Sequence, residues 1–253
     1  MTVRFKDKSV IVTGAASGIG LATARRFAAE GANVAYVDIR DARRVKDTMR
    51  EGRGKAIFIR TDVSRSAAVE RMVRETTAAF GRIDVLVNNA GIVLAKKITE
   101  TSEAEWDRLM SVNLKGVFLC SKEAIRVMKR GGGGAIVNVA SELGLVGGAD
   151  IAAYCASKGG IVQLTKAMAI DHACDNLRVN CVCPGPVATP LLDSIIRQSS
   201  DPVAERRHME ESSLLKRIGQ PEQIASVIAF LASDDASHMT GAIVAVDGGW
   251  SAR

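Results

Sequence analysis

The sequence predicts one α/β domain over residues 1–253, built on a doubly wound parallel sheet with helices on both faces. Short β-branched apolar runs alternate with amphipathic helical stretches along the chain. The runs are apolar throughout, as in strands covered by helices on both sides, and their alternation with helices implies right-handed crossovers. No linker, repeat or low-complexity segment divides the chain.

Seven apolar runs are the predicted strands. The first, residues 9–13, leads through a glycine-containing turn into a helix over about 18–30. The other strands are predicted at 32–37, 56–59, 83–87, 135–139, 178–182 and 242–246.

Two further helical stretches follow from capping and composition. One opens with a capping box from Ser102 to Glu105 and ends at Gly131, and another runs from about 153 to 170. Residues 189–220 are helical and heavily charged and lack strand character. Because this insertion follows the carboxyl end of a strand, we expect it to form a substrate lid.

Composition narrows the class of protein. Apolar residues make up 47% of the chain and aromatic residues only 4%, which predicts a large aliphatic core. The first residues lack the apolar segment of a signal peptide, and no apolar run approaches the ~18 residues of a membrane span. We therefore expect a soluble, cytoplasmic protein with no membrane partner.

The net charge of +6 does not predict nucleic-acid binding. The basic residues are dispersed among acids, as on solvated helix faces, and no aromatic residues alternate with them to stack on bases.

The cysteines and histidines do not suggest a metal site. The five cysteines lack the paired spacing of a disulfide scaffold or zinc site, and the three histidines are far apart. Cys181 and Cys183 alternate in a predicted strand, so they are expected to pack on one face as small hydrophobes. No catalytic metal is predicted.

A glycine-rich turn between the first strand and first helix predicts a dinucleotide site. Gly14, Gly18 and Gly20 give the spacing G-x-x-x-G-x-G, which differs from the commoner G-x-G-x-x-G. Glycines let the backbone approach a pyrophosphate, and the helix N-terminus offers free N–H groups and a positive dipole end. Ser17 and Ile19 of the same turn belong to the predicted site.

Asp38 predicts which dinucleotide binds. It follows the second strand, near the ~20-residue offset at which an acid binds the adenosine ribose, and it would repel a 2′-phosphate by roughly 1–4 kcal/mol. Ala16 and Ile39, where a basic residue could pair with that phosphate, are apolar. NAD is therefore favoured over NADP, although the arginines of segment 40–44 could soften the preference. Alternatively, Asp38 caps the next helix.

Tyr154 and Lys158 are four residues apart in a predicted helix, so they share one face. A free phenol titrates near ~10, and a fixed cation beside it favours the phenolate, which would lower the pKa of Tyr154. A tyrosine tuned in this way can act as a general acid or base. Alone, such a pair more often places the tyrosine against the core and the lysine in solvent.

Together these motifs resemble the ordered signature of the short-chain dehydrogenase/reductase family. The match extends from Lys8 to Gly249. It comprises the glycine turn, Asn88-Asn89-Ala90-Gly91, Asn113, Ser141, Tyr154 with Lys158, and Pro184-Gly185-Pro186-Val187-Ala188-Thr189. The resemblance implies a Rossmann-type domain with seven parallel strands, a nicotinamide cofactor and a homotetramer or homodimer.

The resemblance also implies a role for each matching residue. Tyr154 would be the acid/base at the substrate oxygen, and Ser141 would hold that oxygen. Lys158 would lower the tyrosine pKa and bind the nicotinamide ribose, and Asn113 would fix a water that relays protons. The remaining cofactor residues would be Asp62 and Val63 at the adenine, Asn89 and Gly91 in a turn facing the cofactor, and Val187 and Thr189 at the carboxamide.

Some of these residues have structural alternatives. Asn113 could bond the backbone within a helix, and Ser141 could cap the turn after the fifth strand. Asn88 is interpreted as joining neighbouring strands, without touching the cofactor.

The substrate pocket is predicted less sharply than the cofactor site. Its candidates, chosen by proximity to Ser141 and the lid, are Glu142, Leu143, Val146, Gly147, Gly148, Leu191 and Leu192. The two glycines leave room, while Glu142 either hydrogen-bonds a substrate hydroxyl or points to solvent. A secondary alcohol or ketone, including cyclic and polyhydroxylated ones, is the expected substrate.

Three functions compete at this point. The leading prediction is an NAD(H)-dependent oxidoreductase that interconverts a secondary alcohol and a ketone by hydride transfer. A reductase of 3-oxoacyl thioesters on an acyl carrier protein would suit the basic surface, but Asp38 disfavours the NADPH that such reductions usually need. A non-catalytic cofactor-binding regulator would have no need of Tyr154 or Asn113.

Overall fold

The computed structural model describes residues 3–252, which contain one parallel sheet of seven strands in the order β3-β2-β1-β4-β5-β6-β7. The predicted class and strand number are confirmed. The strands are β1 (Ser9–Thr13), β2 (Asn33–Asp38), β3 (Ala56–Arg60), β4 (Val85–Asn88), β5 (Gly134–Val139), β6 (Leu177–Pro184) and β7 (Ile243–Val246).

The helices form the connections between these strands. They are α1 (Gly18–Ala29), α2 (Thr48–Glu51), α3 (Ser66–Phe80), α4 (Glu103–Met110), α5 (Gly116–Arg130), α6 (Ala152–His172), α7 (Pro190–Gln198), α8 (Pro202–Ser212) and α9 (Pro221–Ala232).

The helix predicted from Ser102 to Gly131 is not a single α-helix. Its capping box is present, with the Ser102 hydroxyl accepting from the Glu105 N–H. However, a π-helical turn, Ser111–Lys115, separates α4 from α5 and contains the buried Asn113. Such turns within α-helices are frequent at functional sites, and nothing in the residue pattern indicates this one.

Both faces of the sheet are covered, as the apolar strands predict. All five residues of β1 are buried. Helices α1 and α9 pack on one face through residues such as Phe27 and Ile228. The other face packs against α3, α5 and α6, whose Met72, Met128 and Met168 are buried.

Two predictions about buried polar side chains are also confirmed. Asn88 joins neighbouring strands: its Nδ2 donates to Asn138 Oδ1 on β5 at 2.8 Å and to Ser121 Oγ at 3.0 Å. Cys181 and Cys183 lie on one face of β6, fully buried with their Sγ atoms 4.0 Å apart.

The strand order reverses between β1 and β4, which are neighbours although β2 and β3 lie between them in sequence. In doubly wound sheets, ligands bind outside the carboxyl ends of the strands at such a point. Among the helices of residues 3–252, none combines the length and apolar character needed to span a bilayer.

Candidate active site

The glycine turn forms a close-packed cradle at the end of β1. Gly14 has φ +67°, and a Cβ on Gly20 would lie 2.2 Å from the Gly14 carbonyl oxygen. Ser17 is the N-cap of α1 but its side chain makes no capping hydrogen bond, so it leaves the first N–H groups of the helix available. Ile19 packs against the core beneath the turn. This arrangement fits a pyrophosphate bound at a helix N-terminus.

Thr13 and Asn89 hold the glycine turn against the loop after β4. Thr13 Oγ1 accepts from the backbone N–H groups of Asn89 and Ala90, at 2.9 and 3.1 Å. Asn89 Nδ2 donates to the Thr13 carbonyl at 2.9 Å. Thr13 ends the first predicted strand, but its contact with the loop after β4 was not predicted, because that contact depends on which strand becomes the neighbour of β1.

Asp38 lies at the end of β2 beside the glycine turn. Its Oδ2 accepts from the Ala16 N–H at 2.9 Å, and its Oδ1 accepts from the Arg40 N–H at 3.0 Å. Asp41, not Asp38, caps the following 3₁₀ turn, so the alternative of a helix cap is wrong. Arg40 also donates to Ser17 Oγ at 3.1 Å, which places a guanidinium at the edge of this region.

Asp62 and Val63 follow β3, two strands from the glycine turn. Burial is the largest single influence on the pKa of Asp62 and raises it, but the hydrogen bonds from the Ser64 hydroxyl and N–H, together with the charge and hydrogen bond of Arg65, lower the pKa overall. Val63 is buried and faces Gly116, where an added Cβ would come within 2.9 Å of Val63 Cγ2.

Asn113 and Lys158 meet beside Gly91. A Cβ on Gly91 would lie 3.4 Å from Asn113 Oδ1 and 3.6 Å from Lys158 Nζ. Asn113 exchanges two hydrogen bonds of 2.9 Å with the Ile92 backbone and donates to Ser157 Oγ at 3.1 Å. Asn113 thus bonds the backbone of the loop after β4 and not that of a helix as the structural alternative expected, and it does so next to Lys158.

The lysine is buried, and this changes the expected electrostatics. Lys158 Nζ donates to the Val139 carbonyl at 3.0 Å and lies 5.6 Å from the centre of the Tyr154 ring. Burial lowers the pKa of Lys158 to about 8. Keeping the Lys158 ammonium charged in this buried position therefore costs free energy.

The expectation that Tyr154 has a lowered pKa is wrong. Burial is the main cause that raises the pKa of the phenol, and the Glu142 carboxyl raises it further. The Ser141 hydroxyl opposes these influences by hydrogen bonding, which favours the phenolate. The sequence spacing correctly places Lys158 near Tyr154. It does not reveal how strongly burial disfavours the charged forms of both side chains.

Ser141 and Glu142 form a hydrogen-bonded pair at the end of β5. Ser141 caps the 3₁₀ turn Glu142–Gly144, accepting from the Leu143 N–H at 3.2 Å, so the predicted capping role is present. Ser141 Oγ donates to Glu142 Oε2 at 2.5 Å. Glu142 is 8% exposed, which rules out the alternative that it points to solvent.

The glycine turn also contacts the loop after β6. A Cβ on Gly18 would lie 3.0 Å from Thr189 Cγ2. Thr189 caps α7 by accepting from the Leu192 N–H at 3.3 Å, and Val187 is buried and pairs with Gly219. The structure thus places Thr189, the last of the predicted cofactor residues in sequence, next to Gly18 in the glycine turn.

A cavity of about 370 Å³ adjoins the loop that follows Glu142. Gly148 packs near Leu143 in this loop, and Leu191 lies in the first turn of α7, where it is exposed. The cavity is lined by Val146, Gly147, His208, Ser212, Trp250 and Ser251.

The sequence did not predict four of the cavity residues, which are His208, Ser212, Trp250 and Ser251. They come from α8 and the C-terminal 3₁₀ turn, far from Ser141 in sequence and with no motif around them. Among residues 3–252, no three His, Cys, Asp or Glu side chains are grouped so that they could hold a metal ion.

The comparisons with known proteins cover almost the whole chain. A family model described as enoyl-(acyl carrier protein) reductase matches residues 14–251. The meso-2,3-butanediol dehydrogenase of Serratia marcescens is 44% identical, over 99% of this chain and 97% of that protein. The cis-4-hydroxycyclohexanecarboxylate dehydrogenase of Sinomonas cyclohexanicum is 43% identical, over 98% of each chain.

A solved structure has the same fold and similar sequence. The ligand-free aldohexose dehydrogenase of Thermoplasma acidophilum is 39% identical, with a TM-score of 0.89 over 98% of this chain and 95% of that one.

Proposed function

Since the chain belongs to the short-chain dehydrogenase/reductase family, we propose that it interconverts a secondary alcohol and a ketone with NAD(H), using Tyr154 as general acid/base. The observation that carries this proposal is the meeting of Ser141, Tyr154, Lys158 and Asn113 beside the glycine cradle. The two relatives named as dehydrogenases of a butanediol and of a hydroxycyclohexanecarboxylate support the general reaction class, which is oxidoreduction at a CH–OH group.

The proposed cofactor is NAD. A nicotinamide cofactor, when bound, supplies or accepts the hydride. The cradle of Gly14, Gly18 and Gly20 would hold its pyrophosphate. Asp38 supports NAD over NADP because its carboxylate stands at the glycine turn, where a 2′-phosphate would meet a like charge.

The chain's own residues handle the proton. In ketone reduction, the Tyr154 phenol donates its proton to the carbonyl oxygen while the Ser141 hydroxyl donates a hydrogen bond to the same oxygen. In alcohol oxidation, Tyr154 takes the proton back. Lys158, with a pKa of about 8, is poised to exchange protons near neutral pH. Its position beside Asn113 supports the proposed relay through a water.

The proposed substrate is a compact secondary alcohol or its ketone, including cyclic and polyhydroxylated ones. A cavity of about 370 Å³ would hold a small molecule. Its lining combines the apolar Val146 and Trp250 with the polar His208, so it suits a molecule that has both apolar carbon groups and polar hydroxyl or carbonyl groups. His208 and Ser212 on α8 support the proposal that 189–220 is a lid over this cavity.

A 3-oxoacyl-thioester reductase is the second candidate function. The description of the matching family model names a reductase of enoyl groups on an acyl carrier protein, which supports a thioester on such a carrier as substrate but concerns a carbon–carbon double bond and not a 3-oxo group. Against it stands Asp38, since biosynthetic reductions usually use NADPH.

The proposed partner is a second copy of the chain, in a homodimer or homotetramer. An apolar groove of about 760 Å³ runs between α4, α5 and α6, and it includes Met110, Leu114, Phe118 and Leu164. Phe118 is 48% exposed. Packing two such faces together would remove the groove from water. Phe118→Asp should therefore shift the sedimentation coefficient toward the monomer, while a wild type that sediments as a monomer would contradict the proposal.

Turnover of a substrate panel tests the proposed function. Secondary alcohols, sugars, steroids and acyl thioesters are offered with NAD and with NADP, and reduced cofactor is followed by absorbance. We expect turnover of a secondary alcohol with NAD, and a turnover at least about 10²-fold lower in Tyr154→Phe. Faster turnover of a 3-oxoacyl thioester would favour the second candidate, and a preference for NADP would contradict the role of Asp38.

A further inference from the structure

The Glu142 carboxyl occupies the interior of the candidate site, in direct contact with a proposed catalytic group. Its Oε2 is 2.5 Å from Ser141 Oγ. The 3₁₀ turn Glu142–Gly144 begins directly after Ser141, and the Leu143 N–H donates to Ser141 Oγ at 3.2 Å. The local backbone therefore fixes both side chains relative to each other.

The number of hydrogens in this pair limits what Ser141 can do. A serine hydroxyl carries one hydrogen, an ionised carboxylate can only accept, and a protonated carboxyl brings a donor of its own. When Glu142 is ionised, the Ser141 hydrogen points at the carboxylate. When Glu142 is protonated, its own hydrogen can point at Ser141 Oγ, which frees the serine hydrogen for another acceptor.

We propose that Glu142 is a positioning residue that sets the direction of the Ser141 hydroxyl, so that Ser141 donates to the substrate oxygen only while Glu142 is protonated. This inference rests on the proposed function, because it needs a ketone oxygen beside Ser141. It assigns Glu142 a role through Ser141, in place of direct recognition of a substrate hydroxyl.

The surroundings of Glu142 favour its protonated form. Burial is the main cause that raises the pKa of this carboxyl above its ordinary 4.5, and Asp247, after β7, raises it further. The Ser141 hydroxyl and the backbone N–H groups of Glu142 and Leu143 act in the opposite direction. From α6, Tyr154 and Lys158 face the same carboxyl, and a charged Glu142 raises the pKa of both.

The sign of the pH dependence follows from these contacts. Below the pKa of Glu142 the carboxyl is protonated and Ser141 is free to donate. As pH rises through that pKa, the serine hydrogen turns to the carboxylate. Ketone reduction should then lose the contribution of one oxyanion donor, and kcat/KM should fall by up to about 10²-fold.

The test compares pH profiles of kcat/KM for ketone reduction in three proteins. In Glu142→Gln the side-chain amide donates to Ser141 Oγ at every pH, so the fall that starts above pH 4.5 should disappear. Ser141→Ala should also lose this fall, because the raised pKa of Tyr154 keeps its phenol protonated in this range and Glu142 then affects the substrate oxygen through the serine hydrogen. Glu70→Gln removes an exposed carboxylate on α3 and should keep the wild-type profile.

An infrared titration of the cofactor-free protein gives an independent measurement. The wild type should show a protonated-carboxyl band that persists above pH 4.5, and Glu142→Gln should lack it. This measurement depends on the charge state of Glu142 and not on turnover.

Several results would overturn the inference. They are a fall of unchanged size and position in Glu142→Gln, a fall retained in Ser141→Ala, or the same infrared band in wild type and Glu142→Gln. The wild type could also turn over no ketone while the infrared band behaves as expected. In that case the proposed function would be wrong, but the protonation of Glu142 would still be demonstrated.

Discussion

The two sides of the candidate site differ in how they are held together. On the cofactor side, from β1 to β4, the side chains of Thr13, Asp38 and Asn89 bond to backbone groups within the first ninety residues. On the substrate side, the cavity is assembled from the loop after β5, from α8 and from the C-terminal turn. The first side depends on backbone shape and the second on side chains from distant segments. Substitutions should therefore separate cofactor binding from substrate binding.

The largest effect is expected where the two sides meet, at Tyr154. Tyr154→Phe keeps the ring beside Lys158 but removes the proton, so kcat should fall by about 10²–10⁴-fold. Cofactor affinity, measured by fluorescence titration, should stay near the wild-type value. Substantial remaining turnover would remove Tyr154 from the mechanism.

The next largest effect is expected from a substitution that disturbs only the backbone of the glycine turn, and it should weaken cofactor binding. In Gly20→Ala the new Cβ would lie 2.2 Å from the Gly14 carbonyl oxygen. Such overpacking costs about 1–3 kcal/mol, so cofactor affinity and thermal stability should both fall.

Gly147→Ala is the matched control on the substrate side. An added Cβ at Gly147 meets no atom within 4 Å, so affinity for the cofactor should not change. Equal cofactor affinities in the two variants would show that the cradle is not the cofactor site.

A smaller effect is expected from removing charge on the cofactor side. Asp38→Asn keeps an oxygen that can accept a hydrogen bond from the turn but removes the repulsion of a 2′-phosphate. The ratio of kcat/KM with NAD to that with NADP should fall by about tenfold, within the roughly 1–4 kcal/mol of such repulsion. Asp41→Asn, three residues away on the surface, should leave the ratio unchanged. Equal ratios in all three proteins would remove Asp38 from cofactor selection.

The smallest effect should come from the cavity wall. His208→Ala removes one polar group from the lining, so KM for a good substrate should rise about 3- to 10-fold, as for the loss of one hydrogen bond. Cofactor affinity should not change. His238→Ala, an exposed histidine outside the cavity lining, is the control. A rise in KM in both variants would mean that His208 does not read the substrate.

This contrast also explains how much could be predicted from the sequence. The strands and the glycine turn follow from local patterns, because apolar runs must be buried and a tight turn needs Gly14 at positive φ. The bracing by Thr13 depends on the strand order, which local patterns leave open. The π-helical turn at Asn113 and the contact of Trp250 with the cavity have no local signal at all.

Electrostatics was the least predictable part of the site. The spacing of Tyr154 and Lys158 correctly indicated that they are neighbours, and the lysine ammonium does lie near the ring. The predicted direction of the shift in the Tyr154 pKa was wrong, because burial and the Glu142 charge raise this pKa and outweigh the hydrogen bond with Ser141. Burial is a property of the whole fold, so it cannot be inferred from two residues four positions apart.

The double hydrogen bonding of Asp38 has a consequence for the evolution and engineering of this protein. The carboxylate that would select the cofactor also holds the glycine turn through the Ala16 N–H. A substitution that removes both oxygens, such as Asp38→Ala, would therefore admit a 2′-phosphate and also loosen the turn that binds every dinucleotide. Such a variant is expected to bind both cofactors more weakly. A change of preference that keeps an acceptor for the Ala16 N–H, such as Asp38→Asn, avoids this loss.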